Sequence, residues 1–96
     1  MTFDEFRSAP DEPAGLGAPL RALWQDAAGN WEAAHACVQD DNSAQASWVH
    51  AYLHRKEGDA SNAGYWYARA GKNHFSGSLE TEWEEIARAL LPNDPA

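Results

Sequence analysis

Residues 48–71, WVHAYLHRKEGDASNAGYWYARAG, decide how the rest of this chain is read. The stretch sets two Trp, three Tyr and two His around the polar turn Arg55-Lys56-Glu57-Gly58-Asp59. Apolar and aromatic residues recur at spacings of three and four on both sides of that turn, which is the signature of helix rather than strand. Gly58 is suited to the left-handed residue that closes a helix, and Asp59 or Ser61 to the cap of the next one. The segment therefore predicts a helical hairpin hinged at Gly58.

The same grammar extends outward. Pro19 stands at a first helical position, Leu20, Leu23, Trp24 and Ala27 follow on one face, and Gly29 ends that run. Asn30 caps a second predicted helix with Trp31, Ala34, His35 and Val38 on one face, fading at Asp40–Asp41. The third starts at Asn42 or Ser43 and runs to Glu57. The fourth carries Ala63, Trp66, Tyr67 and Ala70 and closes at Gly71. Ser78 caps a fifth, with the stripe Leu79, Trp83, Ile86, Ala87 and Leu90, ended by Pro92. Valine and isoleucine total three residues and no segment alternates, so strands are not expected. The expectation is an all-α domain over residues 19–91, a small orthogonal or antiparallel bundle of four to five helices. Residues 1–18, with Pro10, Pro13, Gly15 and Gly17, read as a flexible acidic arm that Phe3 and Phe6 could pin, and residues 92–96 as a tail. Each predicted helix holds one of the five tryptophans, which predicts one Trp-rich core touched by every helix.

Ala63, Trp66-Tyr67 and Ala70 follow the spacing of small and aromatic residues in the second helix of a Sel1-like or tetratricopeptide repeat, which this segment resembles. Small residues there let two helices approach while the ring fills the space beside them. The third predicted helix departs from that pattern at His50 and His54, and there is no second copy. The wording WVHAYLHRKEGD…NAGYWYARAG also resembles a family of small uncharacterised bacterial proteins. That resemblance implies a bacterial, cytoplasmic protein and supplies no activity.

His50, His54 and Glu57 stand at i, i+4 and i+7, within a sector of roughly 60° on a helix. His35 shares the face of Trp31 and Val38 and is expected to point inward. These four residues are the candidate metal ligands, since two His one turn apart chelate well and a third can arrive from another helix. A divalent metal such as zinc is the one cofactor the sequence suggests. The place directly after His50 is Ala51, where a zincin would have Glu, so metalloprotease chemistry is not expected. A wider ligand pocket would add Asn62, Tyr65 and Arg69, with Tyr52, Tyr65 or Trp66 as walls. The plain alternative is structural: the histidines bond between helices, Glu57 pairs with Arg55, Lys56 or Arg69, and the run Glu80, Glu82, Glu84, Glu85 is a solvated face.

A net charge of −8 argues against nucleic-acid binding, which needs Lys and Arg to neutralise phosphates. The charge is segregated, because residues 42–79 carry four basic side chains against two acidic ones. That aromatic, locally cationic surface suits a protein partner or a small anionic ligand. No apolar run reaches the roughly 20 residues of a membrane span, and the N-terminal residues do not resemble a signal peptide. The single Cys37 allows no intrachain disulfide and fits a reducing compartment. No Gly-rich phosphate loop or GxSxG motif is present. The resulting expectation is a cytoplasmic binding or interaction module, with a small metal- or ligand-binding enzyme as the alternative. A homodimer would cover any tryptophan left exposed on so small a body.

Overall fold

The computed structural model describes residues 1–91, built from six α-helices: α1 (Phe3–Ser8), α2 (Ala18–Ala27), α3 (Trp31–Val38), α4 (Ala44–Lys56), α5 (Ala60–Ala70) and α6 (Leu79–Leu90). No strand occurs among the described residues. Helix starts fall where short polar side chains can take over a missing turn. Asn30, Ser43, Asp59 and Ser78 each accept a bond from the backbone N–H three residues on. Gly58 and Gly71 close α4 and α5 with φ of +89° and +71°, a backbone that side-chain-bearing residues rarely adopt.

The bundle has one helix more than expected. Thr2 and Glu5 form a reciprocal capping box that starts α1 inside the segment read as an arm, and Phe3 and Phe6 are buried. Phe6 stacks on Trp83 at 5.7 Å and Phe3 meets the same indole edge-on at 5.9 Å. Two buried aromatics pin the arm to α6, the role the sequence suggested for Phe3 and Phe6, and a short helix carries them. The expected tail at 92–96, and Pro92 as the end of α6, lie outside the described residues.

The core also differs from the expectation. Leu23, Val38, Val49, Leu53, Ile86 and Phe6 fill it, and none of the five tryptophans is fully buried. Trp24, Trp31, Trp48 and Trp83 pack around that core with part of each ring exposed. An indole is too large to be enclosed in so small a body and its N–H needs a partner. Trp31 donates to the Leu53 carbonyl at 2.8 Å and Trp83 to the Leu23 carbonyl at 2.9 Å, tying α3 to α4 and α6 to α2. Helix α5 sits on a separate small cluster of Ala51, Ala63 and Tyr67. Its contact with α4 is the most extensive between any two helices, as the small residues on both sides allow.

Two buried carboxylates cross-tie the helices. Asp26 takes the Tyr52 hydroxyl at 2.6 Å on one oxygen and the Lys56 ammonium at 2.8 Å on the other. Glu82 takes the Arg55 guanidinium at 2.8 Å and the Tyr67 hydroxyl on its second oxygen. Burial, reinforced by the bond to the carboxylate, pushes both tyrosines well above the ordinary phenol range, so both stay neutral donors. Glu82 was expected on a solvated acidic face and is instead 1% exposed. Its position between Leu79 and Ile86, at spacings of three and four, places it on the inward stripe of α6.

Candidate metal centre

Three imidazoles meet between α3 and α4. His50 and His54 lie one turn apart on α4, with ring centroids 4.8 Å apart and near parallel. His35 comes from α3 and stands roughly perpendicular to both, at 4.7 Å from His50 and 5.3 Å from His54. The indole bond from Trp31 to Leu53 sets the approach of α3. One turn later His35 stacks flat on that indole at 5.0 Å and 7°. From the other side, Trp66 of α5 stacks on His50 at 3.9 Å and 17°. The cluster is therefore held between two indoles, each fixed by its own helix.

One donor nitrogen from each of the three histidines lies within 4.8 Å of the other two. His35 Nε2 and His50 Nε2 are 3.0 Å apart. Two facing ring nitrogens at that distance can share a single proton, one donating and the other accepting. His54 is oriented differently. Its Nδ1 is 2.6 Å from Glu57 Oε2, and its Nε2 is 3.5 Å from Asn62 Nδ2. The carboxylate fixes the proton on Nδ1, so Nε2 carries the lone pair, to which the Asn62 carboxamide N–H donates.

Burial pulls the His50 pKa down to about 4, helped by the charges of His54 and His35. Burial also lowers that of His35, followed by the His54 charge and opposed by Glu57. Both rings are thus neutral at pH 7 and carry a lone pair. His50 is 3% exposed, and its Nδ1 has no hydrogen-bond partner among the described residues. The other such buried atom is the hydroxyl of Ser47, three residues earlier on the same helix. Buried polar atoms without partners are rare and call for a cause.

The arrangement suits a small borderline-soft cation. A tetrahedral ion with bonds of about 2.0–2.1 Å spaces its nitrogen ligands about 3.3 Å apart. The three nitrogens lie within 4.8 Å of one another, close to that spacing before any ion is bound. Glu57 supplies the outer carboxylate that metal-bound imidazoles commonly use to hold their orientation. A second acidic grouping, His54 with Glu57 and Asp59, is less suited, because both carboxylates are exposed and Asp59 already caps α5.

Of the residues singled out from the sequence, His35, His50, His54, Glu57 and Asn62 are brought together. Tyr65 and Arg69 are not. They pair with each other at 3.3 Å and reach Trp66, with no contact to an imidazole. The expected partners of Glu57 also change: Arg55 serves Glu82, Lys56 serves Asp26, and Glu57 serves His54. Trp31 was missed as a site residue and read as core, although its spacing of four from His35 carries the stacking. The Cys37 thiol stands apart, pushed up by burial, with Arg21 and Glu12 as its charged neighbours. Among the described residues, no helix is long and apolar enough to cross a membrane. Compared with known proteins, the chain matches no family model, no curated protein and no solved structure.

Proposed function

We propose that this protein is a small binding module whose ligand is a divalent transition-metal ion of the zinc class, held by His35, His50 and His54. The observation that carries the reading is the convergence of three imidazole nitrogens within 4.8 Å, with Glu57 bonded to the far nitrogen of His54. Imidazole favours zinc, copper, nickel and iron over magnesium or calcium, which prefer oxygen. All three donors come from one chain, so the site needs no second copy. Glu57 is bonded to His54 and orients it, and binding is the role assigned to the site.

Chelator-treated protein titrated with zinc tests this. One zinc per chain is expected, with a stability gain of about 2.7 kcal/mol at a free zinc concentration a hundredfold above Kd. His35→Ala should abolish that gain while circular dichroism still reports a helical fold. Zinc that binds equally well to wild type and to His35→Ala would sink the proposal.

The interaction reading keeps one specific support. Tyr65 is 54% exposed beside Arg69, whose guanidinium lies 5.8 Å from the Tyr65 ring and 5.4 Å from that of Trp66. That edge suits an acidic protein surface or a small anion. A partner captured by wild type but not by a Tyr65→Ala, Arg69→Ala double variant with unchanged zinc affinity would place it there. Equal capture by both proteins would remove it.

A further inference from the structure

The geometry points to a metal centre with one coordination position left for an exogenous small anion, which the Asn62 carboxamide binds by donating a hydrogen bond. The inference rests on the tri-histidine reading above and names what that site would take.

The protein supplies three donors. No fourth His, Cys, Asp or Glu joins the three-histidine group among the described residues. Three polar neighbours are otherwise engaged. Glu57 is bonded to His54 Nδ1 at 2.6 Å, the Trp31 indole N–H to the Leu53 carbonyl at 2.8 Å, and the Asp59 carboxylate to the Asn62 backbone N–H at 3.2 Å. Three protein nitrogens plus one external ligand is the pattern of zinc sites that exchange a ligand, in contrast to closed structural sites with four protein donors.

The Asn62 carboxamide is bonded within the cluster, and metal on its partner nitrogen would release its N–H for another acceptor. Its Nδ2 lies 3.5 Å from His54 Nε2, the nitrogen that the Glu57 bond frees for a metal. An ion bound to that nitrogen at about 2.0–2.1 Å would have the carboxamide one ligand atom away. Asp59 already caps α5, so the Asn62 side chain is not needed to start the helix.

Charge selects the ligand. Three neutral imidazoles leave the ion its full double charge, and Glu57, the outer carboxylate, offsets half of it. A monodentate anion completes the balance. Carboxylate, bicarbonate, azide and thiocyanate belong to this class.

Cobalt(II) in place of zinc makes the test visible, because its absorption reports coordination. Chelator-treated protein is loaded with cobalt(II) in chloride-free buffer and titrated with azide and then thiocyanate. A saturable shift of the visible bands is expected. Asn62→Leu should still take up one cobalt(II) per chain and hold azide about tenfold more weakly, the scale of one lost hydrogen bond. Cobalt(II) that binds but gives a spectrum unmoved by either anion would overturn this inference and leave the metal reading standing. A loss of cobalt(II) affinity in Asn62→Leu would overturn it equally, for Asn62 would then itself be the fourth ligand. No uptake of cobalt(II) or zinc by wild type would remove both.

Discussion

His54, Arg55 and Lys56 are consecutive on α4, yet they serve two kinds of polar burial. At about 100° per residue the helix turns them to different neighbours. Arg55 completes Glu82, and Lys56 completes Asp26. In both knots every carboxylate oxygen has a donor, one from a cation and one from a tyrosine hydroxyl. His54 joins a group built otherwise. There ring nitrogens face ring nitrogens, His50 Nδ1 has no partner, and the nearby carboxylate is spent on orientation. A polar group buried for architecture is finished by the fold, as the carboxylate knots are. The imidazole cluster is left with an unpartnered ring nitrogen, and under the proposed function a metal ion takes up its lone pairs.

Breaking a finished knot should give the largest effect. Glu82→Ala leaves the Tyr67 hydroxyl and the Arg55 guanidinium without their carboxylate, and should cost about 3–5 kcal/mol in urea unfolding. Glu57→Ala removes a carboxylate that is 39% exposed on its side chain and should cost about 1 kcal/mol or less in metal-free protein. The same Glu57 change should weaken zinc binding by about 10- to 100-fold, as loss of an outer-sphere carboxylate does. Equal stability losses for the two variants would erase the contrast between knot and cluster.

Acid should separate them next. His50 is held neutral in the folded protein, with its pKa down to about 4 from an ordinary 6.5, while the unfolded chain protonates it near 6.5. Between those values the unfolded state binds more protons, so stability falls as pH falls. The loss should begin near pH 6.5, reach about 3 kcal/mol near pH 4, and grow no further from this group below that. His35, lowered for the same reason, adds to the slope over the same side of its ordinary value. The measurement is urea unfolding with chelator present, from pH 7.5 to pH 4. His50→Leu should flatten that limb whatever its absolute stability. An unchanged slope in His50→Leu would show that the carboxylates, rather than the imidazoles, set the acid response.

How much of this was legible in the sequence depends on the range of each signal. The hairpin hinge at Gly58, the caps at Asn30, Asp59 and Ser78, and the all-α class rest on contacts within one turn, which a sequence writes directly. The inward turn of His35, His50 and His54 followed from periodicity alone. Their mutual distances did not, because those depend on how α3 meets α4, set by an indole bond spanning residues 31 and 53. The short α1 was written in the Thr2–Glu5 capping box and masked by the prolines after it. Burial of Asp26 and Glu82 was hidden for another reason. An acid on an inward stripe reads as an exception until its long-range donors Lys56 and Arg55 are in place.

The smallest effect, and the sharpest on the cluster itself, concerns Ser47. Its hydroxyl and His50 Nδ1 are the two buried side-chain atoms without partners among the described residues, and they sit three residues apart on one helix face. In the metal-free protein an unpaired hydroxyl only costs stability, so Ser47→Ala should be neutral or stabilising by about 1 kcal/mol. Metal on His50 Nε2 changes the demand, for the proton must then reside on Nδ1 and needs an acceptor. Ser47 Oγ, three residues away on the same helix and itself unpartnered, is the acceptor this prediction assigns to it. Ser47→Ala should therefore weaken zinc binding by about tenfold while leaving metal-free unfolding unharmed. Opposite signs in the two measurements identify a hydroxyl kept for the bound state. A loss of stability without a loss of zinc affinity would return Ser47 to ordinary core packing and leave His50 Nδ1 unexplained.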